Sequence, residues 1–421
     1  MTRHNDPSKP TALDQITLRS PAELADALPY LMGFHPDDSI VLVALHGDHG
    51  RFGGRLRLGI PAGPREWPYV AEQLADCLVS GSEKRASRPD GIIVFLCQDP
   101  SAGKKGRDVM ERLRPLAQRL RTACGALDVP VLEALCISDG RFWSYCCPDV
   151  RCCPTDGTPL ALPGTSAMAA AAAYAGIQVR GSLRDMEARL SPLTASTSAV
   201  AAQEEALDAA TAELVPRILG GVDRNTVRME TLVLVRGLVE RFVRTPVSGG
   251  ATEADAVDDG LVGDEEAAAI ILGLQDRMTR DRAAEWMEGP DAQAALRVWR
   301  AIARRCVGAF GDHAAAPLTL AGWVAMSTGD EPTARVALGM ALRVDPDYLF
   351  AKLLHQGANE GLDPEVLREC LRRERDTRVA RRPARMAAQP PAGRPRGRTR
   401  PGGHAGRRRE RARGRTGQRR T

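Results

Sequence analysis

The sequence predicts an α/β domain built on a mixed sheet, followed by an all-α helical domain and a disordered basic tail. Three observations carry this. Two short, unbroken apolar runs, Ile40 to Leu45 and Ile92 to Cys97, have strand length and β-branched content, and helical patterns stand between them. Strand signals cease after about Thr165, whereas apolar residues keep recurring at helical spacing to about residue 375. Beyond Ala380 the chain is Arg, Gly, Pro, Ala and Gln with almost no large apolar residue, so it cannot repay the entropy of ordering.

The first helix is the most completely specified element. Ser20 can cap it, Pro21 stands where a missing N–H costs nothing, and Glu23 can complete a capping box. Leu24, Leu28 and Leu31 share a face, and Pro29 should tighten the last turn. Gly33 can adopt the left-handed conformation that ends a helix, Pro36 forbids continuation, and Asp38 and Ser39 close the turn into the strand Ile40 to Leu45. A hairpin connection at His46 to Arg51 leads to a second strand, Phe52 to Ile60. Glu66 to Val79 then predicts a helix, Ile92 to Cys97 a strand, Arg107 to Thr122 a helix, and Val129 to Ser138 with Arg141 to Tyr145 a strand pair turning at Asp139-Gly140.

Helices are expected at 165 to 176, 181 to 190, 197 to 219, 226 to 244, 264 to 288 and 291 to 310, with breaks at Pro192, Pro246 to Gly250 and Gly289-Pro290. In the last of them Leu296, Trp299, Ile302, Cys306 and Phe310 form one stripe, while Arg297, Arg300, Arg304 and Arg305 lie elsewhere. Residues 315 to 348 have the pattern of one tetratricopeptide-type hairpin, with Gly322, Ala334, Leu338, Ala341 and Pro346 at the separations of that repeat and Gly329-Asp330 in the turn. The next window, 349 to 375, keeps only helical periodicity and is expected to cap it. The expected organisation is a flexible 1–14, an α/β domain 15–163, a helical domain 164–314 with a flexible acidic loop near 246–262, the hairpin with its capping helix at 315–376, and the tail 377–421.

A chain of 421 residues with 43% hydrophobic residues can build ample cores, and only 4% aromatics means that Leu, Val, Ile and Ala must fill them. The net charge of +5 conceals a segregation: residues 377–421 hold 16 Arg and one Glu, a charge of +15, which leaves −10 on the rest. Nucleic-acid binding can therefore rest only on the tail, through counterion release, and the tail has no aromatic residue to stack on bases. The N-terminus has no apolar core of signal-peptide length and no run approaches the roughly 18 apolar residues of a membrane span, so a cytoplasmic protein is expected. Ten cysteines in that compartment should be mostly thiols or metal ligands.

Three segments offer chemistry. The run Tyr145 to Pro154 carries Cys146, Cys147, Cys152 and Cys153; thiolates at Cys147, Cys152 and Cys153 could hold zinc, or Arg151 could activate a neighbouring thiol for redox use, or all could be small buried groups. The turn before the first strand offers His35, Asp37, Asp38 and Ser39 for acid–base work or a ligand, against the simpler role of turn chemistry. After the strand at 92–97, Lys104 and Lys105 between Gly103 and Gly106 could hold an anion at a helix start. They are not a phosphate loop, since Gln98 and Lys105 stand where that motif needs Gly and Ser or Thr. The acidic group Asp255, Asp258, Asp259, Asp264, Glu265 and Glu266 lacks calcium-loop spacing and is expected as a solvated loop leading into a helix. No dinucleotide, serine-elbow or metalloprotease motif is present.

With its Leu18-Arg19-Ser20-Pro21 opening and Gly33-Phe34-x-Pro36-x-Asp38-Ser39 before an apolar strand, the chain resembles the actinobacterial family called domain of unknown function 4192. The resemblance extends over roughly residues 13 to 375 and places Cys147, Cys152, Cys153 and Pro154 on positions that recur in the family, whereas Cys146 departs where relatives look aliphatic. It implies no activity. The expectation from the residues is an uncharacterised regulatory or protein-interaction module, with the helical half as partner surface and no assembled catalytic set. A small-ligand-binding protein, or a metal- or thiol-dependent enzyme, would place its site where the loops Gly33 to Ser39 and Gln98 to Gly106 approach the cysteine segment.

Overall fold

The computed structural model describes residues 18–387 apart from 19, 148, 150, 152, 163, 194–196 and 222. Its first element, α1 (Pro21–Met32), is capped as the sequence dictates: Ser20 Oγ accepts the Glu23 N–H at 3.2 Å, and Gly33, at φ 80°, donates its N–H to Pro29 O at 2.8 Å. Strands follow as β1 (Ser39–His46) and β2 (Arg51–Gly59), then α2 (Trp67–Arg85), β3 (Gly91–Cys97), α3 (Gly106–Ala126), β4 (Val131–Ser138), β5 (Arg141–Ser144) and the short β6 (Thr158–Pro159). They form one mixed sheet in the order β2-β1-β3-β4-β5-β6, in which β3 and β4 are parallel and the other neighbours antiparallel.

The parallel pair needs a crossover, and α3 supplies it. Ile40, Leu42, Ile92, Val94, Leu96, Ala134 and Cys136 point to the core under α2 and α3. The alternate residues Val41, Val43, Ile93, Phe95, Cys97 and Leu135 point to the core shared with α1. Both faces of β1 and β3 are covered, which is why these strands read as unbroken apolar runs.

Among the described residues from 165 to 387 the regular elements are helices, α4 (Ala167–Tyr174), α5 (Leu183–Ala188), α6 (Thr197–Leu219), α7 (Arg224–Arg244), α8 (Ala251–Gly260), α9 (Asp264–Gly273), α10 (Arg277–Ala283), α11 (Asp291–Arg304), α12 (Ala315–Ser327), α13 (Glu331–Val344), α14 (Leu349–Glu360) and α15 (Glu365–Ala387). The expected helix 264–288 is two helices, because Asp276 caps α10 by accepting the Thr279 N–H at 3.1 Å. The stripe of 291–310 leaves the α-helix at Arg304 and continues through a 3₁₀ turn at Gly308–Ala314. Gly361, in the left-handed conformation, divides the expected capping helix 349–375 into α14 and α15. Residues up to Leu371 make one compact unit, and a second unit begins at Arg372. Helix α15 runs into the first residues of the segment 377–421, to Ala387; the rest of that segment, expected as a disordered tail, lies outside the described residues. No helix among the described residues is long and apolar enough to cross a membrane.

The acidic segment near 246–262 overturns an expectation. It contains α8, and Asp258 is 1% exposed. Asp258 holds Arg297 through both carboxylate oxygens, while the same guanidinium donates to Phe242 O at 3.1 Å and Thr245 O at 3.0 Å at the end of α7. Asp255 binds Arg189 bidentately at 2.8 and 2.9 Å, and Asp259 binds Arg304, which also donates to Arg189 O at 2.7 Å. Arg305 reaches Asp264 and the carbonyls of Asp259 and Val262. The arginines of α11 thus satisfy carboxylates and helix-end carbonyls together, so these charges are internal glue instead of a solvated loop.

Helices α12 and α13 form a hairpin around Thr328–Asp330, and Asp330 accepts the Thr333 N–H at 3.4 Å. Gly322 is where they approach: a Cβ there would sit 2.6 Å from Leu338 Cγ.

Candidate functional site

The segment Gly33 to Ser39 is where the sheet meets the helices. Its backbone pairs with the strand-like residues before α5: Arg180 N–H donates to Gly33 O, His35 N–H to Gly181 O and Leu183 N–H to His35 O, at 2.8, 2.8 and 2.9 Å. Phe34, 4% exposed, inserts into the helical core that includes Leu183, Met186 and Trp299. Asp37 accepts the Arg184 N–H at 2.9 Å, and Asp38 pairs with the Arg184 guanidinium at 3.2 Å. Ser39 is fully buried, donating to Asp37 O at 2.5 Å and accepting from Arg57 Nε at 2.9 Å. The turn chemistry expected of Asp38 and Ser39 is therefore only part of their work.

Gly33 has two reasons to be glycine. Its φ is positive, and a Cβ would collide with the Pro332 ring at the start of α13. Gly33→Ala is expected to lower stability by about 2 kcal/mol, from left-handed strain plus overpacking, measurable as a shifted urea midpoint with unchanged slope.

The same segment walls a cavity of about 200 Å³ at the carboxyl ends of β3 and β4. Leu28, Pro29, Ile137 and Leu160 give it an apolar side, and His35, Asp37, Gln98 and Asp99 a polar one. Gln98 is fixed by donating to Asp38 Oδ1 at 2.8 Å and accepting from Arg112, and Asp99 by accepting the Asp139 N–H at 3.0 Å. The Cys97 thiol lies in the wall, 3% exposed. Burial above all, then Cys136 and the Asp37 and Asp99 carboxylates, hold its pKa well above the ordinary thiol range, so it is a neutral thiol and not an activated nucleophile. The cavity can bind and orient a small molecule; its wall holds no nucleophile with an assembled base.

Of the residues singled out in sequence, His35 and Asp37 reach this cavity, and Asp38 and Ser39 stand directly behind it. Lys104 and Lys105 do not line it. Both are exposed, and the Lys105 N–H is committed to Asp108 Oδ2 at 2.9 Å in the capping box that starts α3. Gly106 beside them packs on Trp143. Gln98 and Asp99 belong to the loop Gln98 to Gly106 that the sequence offered as a site loop, though not by name, whereas Cys97 was not legible because it sits inside an apolar run.

Cys146, Cys147 and Cys153 do not line the cavity, where the approach of the two loops to the cysteine segment was expected. Cys146 packs against the core under α2 and α3, the opposite face of the sheet from α1, because Cys136 and Trp143 face that way and the chain follows them. The N–H groups of Cys146 and Cys147 donate to Ser144 Oγ at 3.1 and 3.0 Å, and Ser144 donates to Glu133 at 2.7 Å. Cys153 donates its N–H to Asp149 O at 2.7 Å, and Cys152 lies outside the described residues. Among the described residues, no three His, Cys, Asp or Glu side chains are grouped as a metal ion would need.

Cys77 and Cys370 are exposed, whereas Cys97, Cys124, Cys136 and Cys306 are buried. Native alkylation followed by peptide mass spectrometry is expected to mark the first two well before the last four. Burial pushes the Cys124 thiol up to about 11 and Cys136 up to about 12. Unfolded thiols ionise near about 8.5, so the stability these two supply is complete below that pH and is lost as pH rises toward their folded values.

A mixed sheet with helices on both faces, closed by a helical half and holding a small strand-end cavity, defines a two-part α/β-plus-α protein. The family model described as Domain of unknown function (DUF4192) matches residues 21–365, and the chain belongs to that family. No curated protein and no solved structure matches it.

Proposed function

We propose that the protein is a cytoplasmic regulatory module in which the α/β half binds a small molecule and the helical half answers to it. One observation carries this: His35 and Asp37 line the cavity while the backbone of His35 and the carboxylate of Asp37 hold residues 181–184 at the start of α5. A ligand there bears on the joint between the two halves, and ligands at the carboxyl ends of parallel strands are the usual arrangement in α/β folds. The neutral Cys97 favours binding over covalent chemistry. The buried thiols Cys97, Cys124, Cys136 and Cys306 suit a reducing compartment.

The hairpin α12–α13, with Gly322 against Leu338, has the close helix approach of a tetratricopeptide-type unit and supports a protein partner for the helical half. Native mass spectrometry of the reduced, tag-free protein after incubation with a cellular metabolite extract tests the proposal. A small-molecule adduct in the wild type that disappears in Leu160→Trp, which fills the cavity from its partly exposed wall, supports it. A spectrum without adducts, or one indifferent to Leu160→Trp, contradicts it.

A further inference from the structure

The cavity has a definite electrostatic sign. Its charged wall residues are the carboxylates Asp37 and Asp99, and no Lys or Arg lines it. Outside the wall, Arg184 pairs with Asp38, Arg112 donates to Gln98, and Arg57 donates to Ser39 while also attracting Asp37. Each carboxylate uses one oxygen to fix the local fold, Asp37 Oδ2 for the Arg184 N–H and Asp99 Oδ1 for the Asp139 N–H. The other oxygen of each takes no hydrogen bond from the described residues, which leaves Asp37 Oδ1 and Asp99 Oδ2 as acceptors. A third polar group is present independently of these acids. The Cys97 thiol is 3% exposed, lies in the cavity wall and has no hydrogen-bond partner among the described residues. Its S–H is a weak donor that a molecule in the cavity can engage.

Size and the opposite wall narrow the occupant further. Space of about 200 Å³ holds roughly six or seven water-sized groups at about 30 Å³ each. Leu28, Pro29, Ile137 and Leu160 are suited to a short hydrocarbon and offer it no polar partner. An anion would meet two carboxylates with no cation beside them in the wall. A neutral alcohol would leave the acids' attraction unused, whereas an ammonium donates three hydrogen bonds and carries the complementary charge.

Building on the small-molecule reading of this cavity, we infer that its ligand is a small organic cation, a protonated amine on a short aliphatic body, with the ammonium between Asp37 and Asp99 and the hydrocarbon against Leu28, Ile137 and Leu160. The charge selects the ligand and the apolar wall limits its length.

Saturation-transfer NMR on the full chain, with n-butylammonium, 1-butanol and butyrate compared at equal ionic strength and millimolar concentration, tests the inference. The ammonium is expected to bind and butyrate to give no signal, and Asp99→Asn is expected to weaken the ammonium about tenfold, the loss of one charge-assisted hydrogen bond. Asn retains an acceptor for the Asp139 N–H, so the melting temperature should hold; Asp37→Asn is the second variant should Asp99→Asn not fold. Equal or tighter binding of 1-butanol or butyrate, or ammonium binding unaffected by the variant, overturns the cation while leaving the cavity as a ligand site. If none of the three binds, both the inference and the ligand-binding reading fail.

Discussion

Phe34→Ala is expected to lower stability by about 3–5 kcal/mol, the range for truncating a buried aromatic side chain. The cost should be at the upper end, because Phe34 is contributed by the sheet side of the molecule to the helical core and its removal hollows that core from outside. It should also change cooperativity. The remaining ties between the loop and the start of α5 are three backbone hydrogen bonds, the Arg184 N–H held by the Asp37 carboxylate, and the exposed Arg184–Asp38 pair, which has little net worth in water. Calorimetry of the wild type should show one transition for the sheet and helices, and Phe34→Ala should broaden or divide it. A variant that loses less than about 1 kcal/mol and still melts in one sharp transition would show that Phe34 does not join the halves.

Asp258→Ala should cost about 3–5 kcal/mol, because it leaves the Arg297 guanidinium without its carboxylate in the interior. Replacing both partners, Asp258→Leu with Arg297→Met, should recover most of that loss, since a buried pair can be exchanged for packed apolar groups at small net cost. Recovery should stop short of complete. Arg297 also donates to Phe242 O and Thr245 O, and the methionine removes that donor from both, leaving Phe242 O only the Thr245 N–H. Denaturant titrations of the three chains form the check; a double variant no more stable than Asp258→Ala would rule out this account of the pair.

The course of the chain was legible where local chemistry decides it. Ser20, Pro21 and Gly33 bound α1, and runs covered on both faces mark β1 and β3, because caps and apolar length act over a few residues. What the sequence concealed depends on distant partners. The carboxylates of α8 read as solvated because the arginines that bury them are distant in sequence, Arg297 and Arg304 on the polar side of α11 for Asp258 and Asp259, and Arg189 ahead of α8 for Asp255. The break at Asp276 was hidden by apolar periodicity continuing across it. In the site, His35, Asp37, Asp38 and Ser39 were visible as a polar group beside a strand, yet their partner Arg184 was not. The loop from Gln98 was expected near the site, but Cys97 became a site residue only through the parallel pairing of β3 with β4, which brings their ends beside the loop after α1. The cysteine run drew attention by composition, but the direction of β5 carries its first member, Cys146, to the other face.

The central claim is that the Gly33–Ser39 segment conveys occupancy of the cavity to the helical half. Hydrogen–deuterium exchange of the full chain with and without saturating n-butylammonium tests it most directly. Slower exchange is predicted for the amides of His35, Leu183 and Arg184 and for α5, beyond any change at Cys97 to Asp99. Protection confined to the strand ends, or no change anywhere, would contradict the claim.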